Sequence, residues 1–230
     1  MKVEYDEDGH YKIKMILVGE SGVGKTNLLN IMRNVDFATE EEPTNHCNFF
    51  TTKVKIDNIE INLYLWDTIG QEKLRAQTKI FFKNSKIVVL VYDITNKVSF
   101  NKLEEWNQLV KENLGDEIVL GILGNKNDLF LNEQVKEEEA EAYANSIGAK
   151  WSLGSAKTER DRFVNYICEL VKIYIKKANI IYDDNKSEIL VQTPTIKIQK
   201  KKQIKTKHKL YNNSILLNNI KFYYYTLYII

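Results

Sequence analysis

An apolar run, Met15-Ile16-Leu17-Val18, leads directly into Gly19-Glu20-Ser21-Gly22-Val23-Gly24-Lys25-Thr26, and a helical pattern from Asn27 to Arg33 follows. Strand, glycine-bearing turn and helix start, in that order, leave few folds open. The stretch fits the pattern GxxxxGK[ST]. In such a turn the backbone N–H groups and the positive end of the helix dipole form a concave anion site. Gly22 and Gly24 let main chain approach a phosphate with no Cβ in the way. Lys25 reaches β- and γ-phosphates in this pattern, and the Thr26 hydroxyl binds a magnesium ion. A glycine-rich loop in an unrelated fold could match by chance, so the rest of the chain has to agree.

It does agree in organisation. Apolar runs and helical patterns alternate: strands at Tyr11–Val18, Phe49–Lys55, Glu60–Asp67, Lys86–Tyr92, Ile118–Gly124 and Lys150–Leu153. Helices fit Asn27–Arg33, Glu72–Lys83, Ser99–Asn113, Val135–Ile147 and Arg160–Lys177. The alternation predicts a six-stranded, mostly parallel α/β sheet flanked by about five helices, with one hairpin near the start. Ligands of such sheets sit outside the carboxyl ends of the strands, where Lys25 falls.

Charge divides the chain. The formal net charge is +2, and residues 189–230 hold eight lysines and no acid, so the first 188 residues carry +2 − 8 = −6. A mildly acidic body argues against nucleic acid as a partner. Cys47 and Cys168 are too few for a disulfide framework or a zinc site. The polar, acidic start is unlike a signal peptide, and no apolar run approaches the roughly 18 residues of a membrane span. A cytoplasmic monomer is expected, with residues 1–10 as an extension, 11–178 as the nucleotide domain and 179–230 as a disordered basic tail.

Three further stretches close strands. Trp66-Asp67-Thr68-Ile69-Gly70-Gln71 places Asp67 to hold magnesium through water, Gly70 to offer its N–H to a γ-phosphate and Gln71 to orient an attacking water. Alone, Asp-x-x-Gly is a common strand-to-turn sequence. In Asn125-Lys126-Asn127-Asp128-Leu129 a carboxylate can accept two hydrogen bonds, from guanine N1 and the exocyclic amine, which adenine cannot supply. Ser155-Ala156-Lys157 could support the base through its backbone, though a tripeptide alone means little.

Taken in this order, the four stretches resemble the small GTPases of the Ras superfamily, most closely the Rab family, over roughly Tyr11 to Lys177. Leu90-Val91-Tyr92-Asp93-Ile94-Thr95, Ser99-Phe100 and Trp106 add to the likeness. The resemblance implies a three-layer P-loop NTPase fold and a GTP/GDP switch with magnesium, Lys25 and Gln71 being catalytic. It implies nucleotide contacts from Glu20, Ser21, Gly22, Val23, Gly24, Lys25, Thr26 and Asn27. It extends them to Asn125, Lys126, Asp128, Leu129, Ser155, Ala156 and Lys157. Phe37 matches the aromatic stacked on guanine, and Thr44 a magnesium-binding switch threonine. Partners would be an exchange factor, a GTPase-activating protein and effectors. Phe49, Trp66 and Phe81 fall where Rab proteins carry a surface aromatic triad, although core positions explain them equally well.

Three departures stand out. Ile69 occupies a position usually held by a small residue, and its β-branch stiffens a loop that must close. His46 replaces a glycine, removing left-handed freedom. No cysteine near the carboxyl end offers a prenyl acceptor. The lysines from Lys197 to Lys209 give electrostatic affinity for anionic membrane, about 1 kcal/mol per lysine at best, which would make the protein peripheral on the cytosolic face of an endomembrane. The plainer reading of that cluster is a solvated linker. Residues 214–230 look like translated A/T-rich noncoding sequence, which implies a shorter, cysteine-bearing end near Lys202. The resemblance favours a hydrolysing switch in vesicle traffic. A GTP-binding module with little hydrolysis is the alternative, and a metabolic P-loop kinase would leave Asn125 to Asp128 unexplained.

Overall fold

The computed structural model describes residues 3–7, 9–39, 48–56, 59–67, 81–178 and 189–191. The elements in chain order are β1 (Glu4–Tyr5), β2 (Tyr11–Val18), α1 (Lys25–Met32), β3 (Asn48–Ile56), β4 (Ile59–Asp67) and β5 (Ile87–Asp93). They continue with α2 (Lys97–Asn101), α3 (Leu103–Leu114), β6 (Val119–Asn125), a 3-10 helix (Asn127–Asn132), α4 (Glu137–Ser146), β7 (Lys150–Leu153), α5 (Arg160–Lys177) and β8 (Ile189–Val191).

The sheet runs β7-β6-β5-β2-β4-β3-β8, with β1 added to β2. The pairings β2–β4, β2–β5, β5–β6 and β6–β7 are parallel, and β3 is antiparallel to β4. From β2 the chain crosses to the outer strand β3, returns inward as β4 beside β2, and then passes to β5 on the other side of β2. The crevice between β2 and β5 is therefore the topological switch point, where doubly wound sheets bind ligands.

All seven residues of β5 are buried, as a strand covered on both faces requires. Its side chains divide by parity: Ile87, Val89 and Val91 join one core, Val88, Leu90 and Tyr92 the other. The first core is covered by α1 and by the stripe Phe163, Ile167, Leu170, Val171 and Tyr174 of α5, spaced at three and four residues. The second is covered by Phe100, Leu103, Trp106 and Val110, with Ala140 and Ala144 of α4.

The expected strands all form, four of them with ends that differ by one residue, and two short strands enlarge the six-stranded sheet to eight. β5 begins opposite Met15, which leaves Tyr11 and Lys12 of β2 to pair with β1 of the N-terminal extension. β8 pairs with Val54 to Ile56 along β3, inside the segment read as a disordered tail. Both additions satisfy backbone groups that a bare edge would leave unpaired. The single helix expected over 99–113 is divided at Lys102, yet the ladder continues through it, Lys102 N–H donating to Val98 and Trp106 N–H to Lys102. The helix expected at Glu72–Lys83 lies outside the described residues up to position 80. Among those described, no helix is long and apolar enough to cross a membrane.

Candidate functional site

The parallel strands carry their chemistry at one edge of the sheet, since Gly19 follows β2 while Asp67, Asp93 and Asn125 end β4, β5 and β6. α1 starts at Lys25, two residues earlier than expected. Its cap is Gly24, whose φ of +92° is left-handed. The early start puts Lys25 and Thr26 in the first helical turn, with their N–H groups facing the crevice end of the helix.

Gly24 and Gly19 are required for close approach. A Cβ on Gly24 would lie 2.4 Å from Asn125 Nδ2, and one on Gly19 2.2 Å from the Val91 carbonyl oxygen. We expect Gly24→Ala to lower stability by about 2–3 kcal/mol, from left-handed strain plus the displaced amide. The urea midpoint measures this, and an unchanged midpoint would mean that Asn125 yields freely.

Lys25 is only 6% exposed. Its ammonium donates to the carbonyls of Gly19 and Glu20, both at 2.8 Å. Burial pushes its pKa down from 10.5 to about 8, and the charges of Asp67 and Glu20 offset part of that. The Thr26 hydroxyl donates to Asp67 Oδ2 at 2.8 Å, which joins the first helical turn to the end of β4. Ser21 and Gly22 form the exposed tip of the loop, while Val23 is buried.

Asn125 joins the phosphate loop to the base motifs. Its amide donates to the Val23 carbonyl at 2.8 Å, and its Oδ1 accepts from the Ala156 N–H at 3.1 Å. The Ser155 hydroxyl donates to Asp128 Oδ1 at 2.5 Å and accepts from the N–H groups of Lys157 and Thr158. Asp128 is thus oriented by a serine whose proton has one direction left to point. Asn27 clamps the loop after α1 by bonding both ways with Ala38. Phe37 and Leu129, each 40% exposed, stand outside this hydrogen-bonded set. Thr44, His46, Ile69, Gly70 and Gln71 lie outside the described residues.

Two side chains near the site had no role in the sequence reading. Asp93 pairs with the Lys126 ammonium at 2.6 Å and accepts from the Thr95 N–H and hydroxyl, so Lys126 is held from below. Lys126 itself has a left-handed φ of +68°. Trp106 donates its indole N–H to Glu20 at 3.2 Å, tying α3 to the phosphate loop. Asp93 could have been found from its place at a strand's carboxyl end. The Trp106 contact spans 86 residues and left no local signal.

The three aromatics divide between surface and core, with Trp66 half-buried between an exposed Phe49 and a buried Phe81. Phe49 is 60% exposed and stacks on Trp66 with ring centroids 5.1 Å apart, and Phe81 lies 6.5 Å beyond Trp66. Only Phe81 is a core residue.

Comparison with known proteins agrees with this geometry. The family model described as Ras family matches residues 14–176. The human Ras-related protein Rab-21 is 41% identical over 170 residues, covering 74% of this chain and 75% of the relative. Ras-related protein YPTC6 of Chlamydomonas reinhardtii is 34% identical, with 80% and 86% covered. Ras-related protein Rab-11C of Dictyostelium discoideum is 31% identical, with 79% and 83% covered. Phosphate loop, guanine-type motif and relatives all lead to one assignment: the chain belongs to the Ras family and is a small GTPase most like the Rab proteins.

Proposed function

We propose that the protein binds GTP and GDP with magnesium at the β2–β5 crevice and hydrolyses GTP as a switch that selects effectors in vesicle traffic. Asn125 carries the reading, since one buried side chain joins the Gly19–Thr26 loop to the Ser155–Lys157 loop and so makes two motifs one site. The turn from Gly19 to Thr26 cradles phosphate with its N–H groups, and the Lys25 ammonium adds positive charge in a pocket sheltered from water. Asp128 reads guanine, and Lys126, steadied by Asp93, flanks the base. Phe37, Leu129, Ala156 and Lys157 border the nucleoside.

The Thr26 hydroxyl and Asp67 carboxylate, 2.8 Å apart, are hard oxygen donors that fit a small divalent cation alongside phosphate oxygens and water. Magnesium bound there supplies charge stabilisation to the phosphates. Thr44, Gly70 and Gln71 take the switch and water-orienting roles by resemblance. Exchange factor, activating protein and effectors are the expected partners, and the tail's lysines the expected contact with anionic membrane.

Nucleotide analysis of the purified protein followed by single-turnover hydrolysis tests the whole reading. Bound guanine nucleotide without phosphate release would favour the non-hydrolysing module. Because Ile69 adds a β-branch where small residues usually stand, Ile69→Ala is expected to raise the single-turnover rate about threefold to tenfold, within the range of about 1 kcal/mol effects. An unchanged rate would end the steric account.

A further inference from the structure

The β3–β4–β2 part of the sheet has two unlike faces. One is apolar, and Val54, Ile61, Leu63 and Met15 are buried in the first core. On the other, strand alternation brings Lys53 and Lys55 of β3 across from Asn62 and Glu60 of β4. Lys12 and Lys14 of β2 lie beside Asn62 and Tyr64 on the same face. All four lysines keep part of their surface in solvent. Glu60, bonded to Lys53, and Asp6, bonded to Asn62, are carboxylates on this part of the face, and Glu4 of β1 lies opposite Lys12 and pairs with Lys86. The four lysines outnumber these carboxylates, so a body of net charge −6 turns a locally basic face outward, at the end of which Phe49 stands exposed on a half-buried Trp66.

The lysines do not simply surround the rings. The Lys14 ammonium lies 4.2 Å from the centre of the Trp66 ring, and that of Lys12 lies 4.7 Å from the centre of Tyr64. A bare ring face repels a carboxylate because its quadrupole is negative, and an ammonium laid over it reverses that sign. The face therefore offers apolar ring surface and N–H donors side by side. An aromatic centre with a charged margin is the layout of a protein-binding surface.

We propose that this face receives an acidic amphipathic segment of a partner protein, whose apolar side chains rest on Phe49 and Trp66 while its carboxylates meet Lys12, Lys14, Lys53 and Lys55. The proposal rests on the effector-binding switch reading and gives that partner its chemistry. Charge excludes the chain's own tail as occupant, since residues 189–230 hold eight lysines and no acid.

The test uses the full chain loaded with a non-hydrolysable GTP analogue. The probes are two fluorescein-labelled amphipathic peptides, about 18 residues long, with leucine on one face and either glutamate or lysine on the other. The glutamate peptide is expected to bind at least about tenfold tighter, with the difference shrinking as salt rises. Lys12→Glu/Lys55→Glu should invert the preference, Lys12→Gln/Lys55→Gln should abolish most of it, and Phe49→Ala should weaken the glutamate peptide about tenfold. Equal binding of both peptides, or an unchanged preference in both double variants, overturns the proposal. So does binding to phosphatidylserine vesicles through these lysines when the glutamate peptide does not bind. The GTP analogue carries a fluorescent label distinct from fluorescein, and its retention is measured on every sample. Its loss would remove the switch reading, while the charge preference of the face would still be read from the peptides.

Discussion

Asp128→Asn is expected to weaken GDP and GTP binding by about 10⁴-fold and to turn the preference toward xanthine nucleotides. The Ser155 hydroxyl accepts from two backbone N–H groups, those of Lys157 and Thr158, so its own proton is committed to Asp128 Oδ1. An asparagine at 128 would keep its carbonyl oxygen on Ser155, because only that atom can accept. Its amide would then occupy the position of Oδ2 and donate toward the base. Guanine presents an exocyclic amine there, so donor would face donor and a buried pairing would be lost. Xanthine carries a carbonyl oxygen in place of that amine and can accept. Competition of xanthosine diphosphate against fluorescent GDP measures the exchange of preference. Undiminished GDP affinity in the variant would show that Asp128 does not read the base.

Sequence and structure agree most where a signal is local. The continuous apolar run of β5 announced a strand covered on both faces, and the three-and-four spacing from Phe163 to Tyr174 set α5 to the residue. The phosphate loop was legible because its glycines, lysine and threonine have fixed offsets. What escaped notice is held by distant partners. β1 and β8 are two and three residues long, too short for any alternation, and exist because β2 and β3 offer unpaired edges. The 3-10 helix at Asn127–Asn132 was missed because its apolar residues do not mark a core. Leu131 is 86% exposed, and the segment is held by short-range bonds such as Leu129 N–H to the Lys126 carbonyl. The site shows the same division. Motifs gave Lys25, Asp67 and Asp128, whereas the links Thr26–Asp67, Asn125–Val23 and Lys126–Asp93 join strand ends remote in sequence. Asn125, read as a nucleotide contact, is also the strut between the two loops.

Lys25 carries the other large effect. Lys25→Met should cost about 10³-fold in GDP affinity, because a charge-assisted contact to phosphate in a water-poor pocket has no substitute among the loop's neutral N–H groups. The same residue predicts two opposite pH slopes. Its folded pKa of about 8 lies below the ordinary 10.5. From about pH 8 upward the unfolded chain binds more protons than the nucleotide-free fold, so the fold's stability rises with pH by roughly 3 kcal/mol at most before about pH 10.5. Below about pH 8 both states hold the proton and the slope vanishes. Nucleotide binding runs the other way. Phosphate requires the ammonium, so above about pH 8 binding must take up a proton and affinity should fall by up to about tenfold per pH unit. Fluorescent-GDP affinity and the urea midpoint of nucleotide-free protein, both taken between about pH 7 and about pH 9, separate the slopes. The series stops short of the range in which guanine N1 loses its own proton. Lys25→Met should flatten the stability slope. A wild-type affinity that stays constant to pH 9 would mean that the lysine is solvated in the free protein and that its bonds to Gly19 and Glu20 do not shelter it from water.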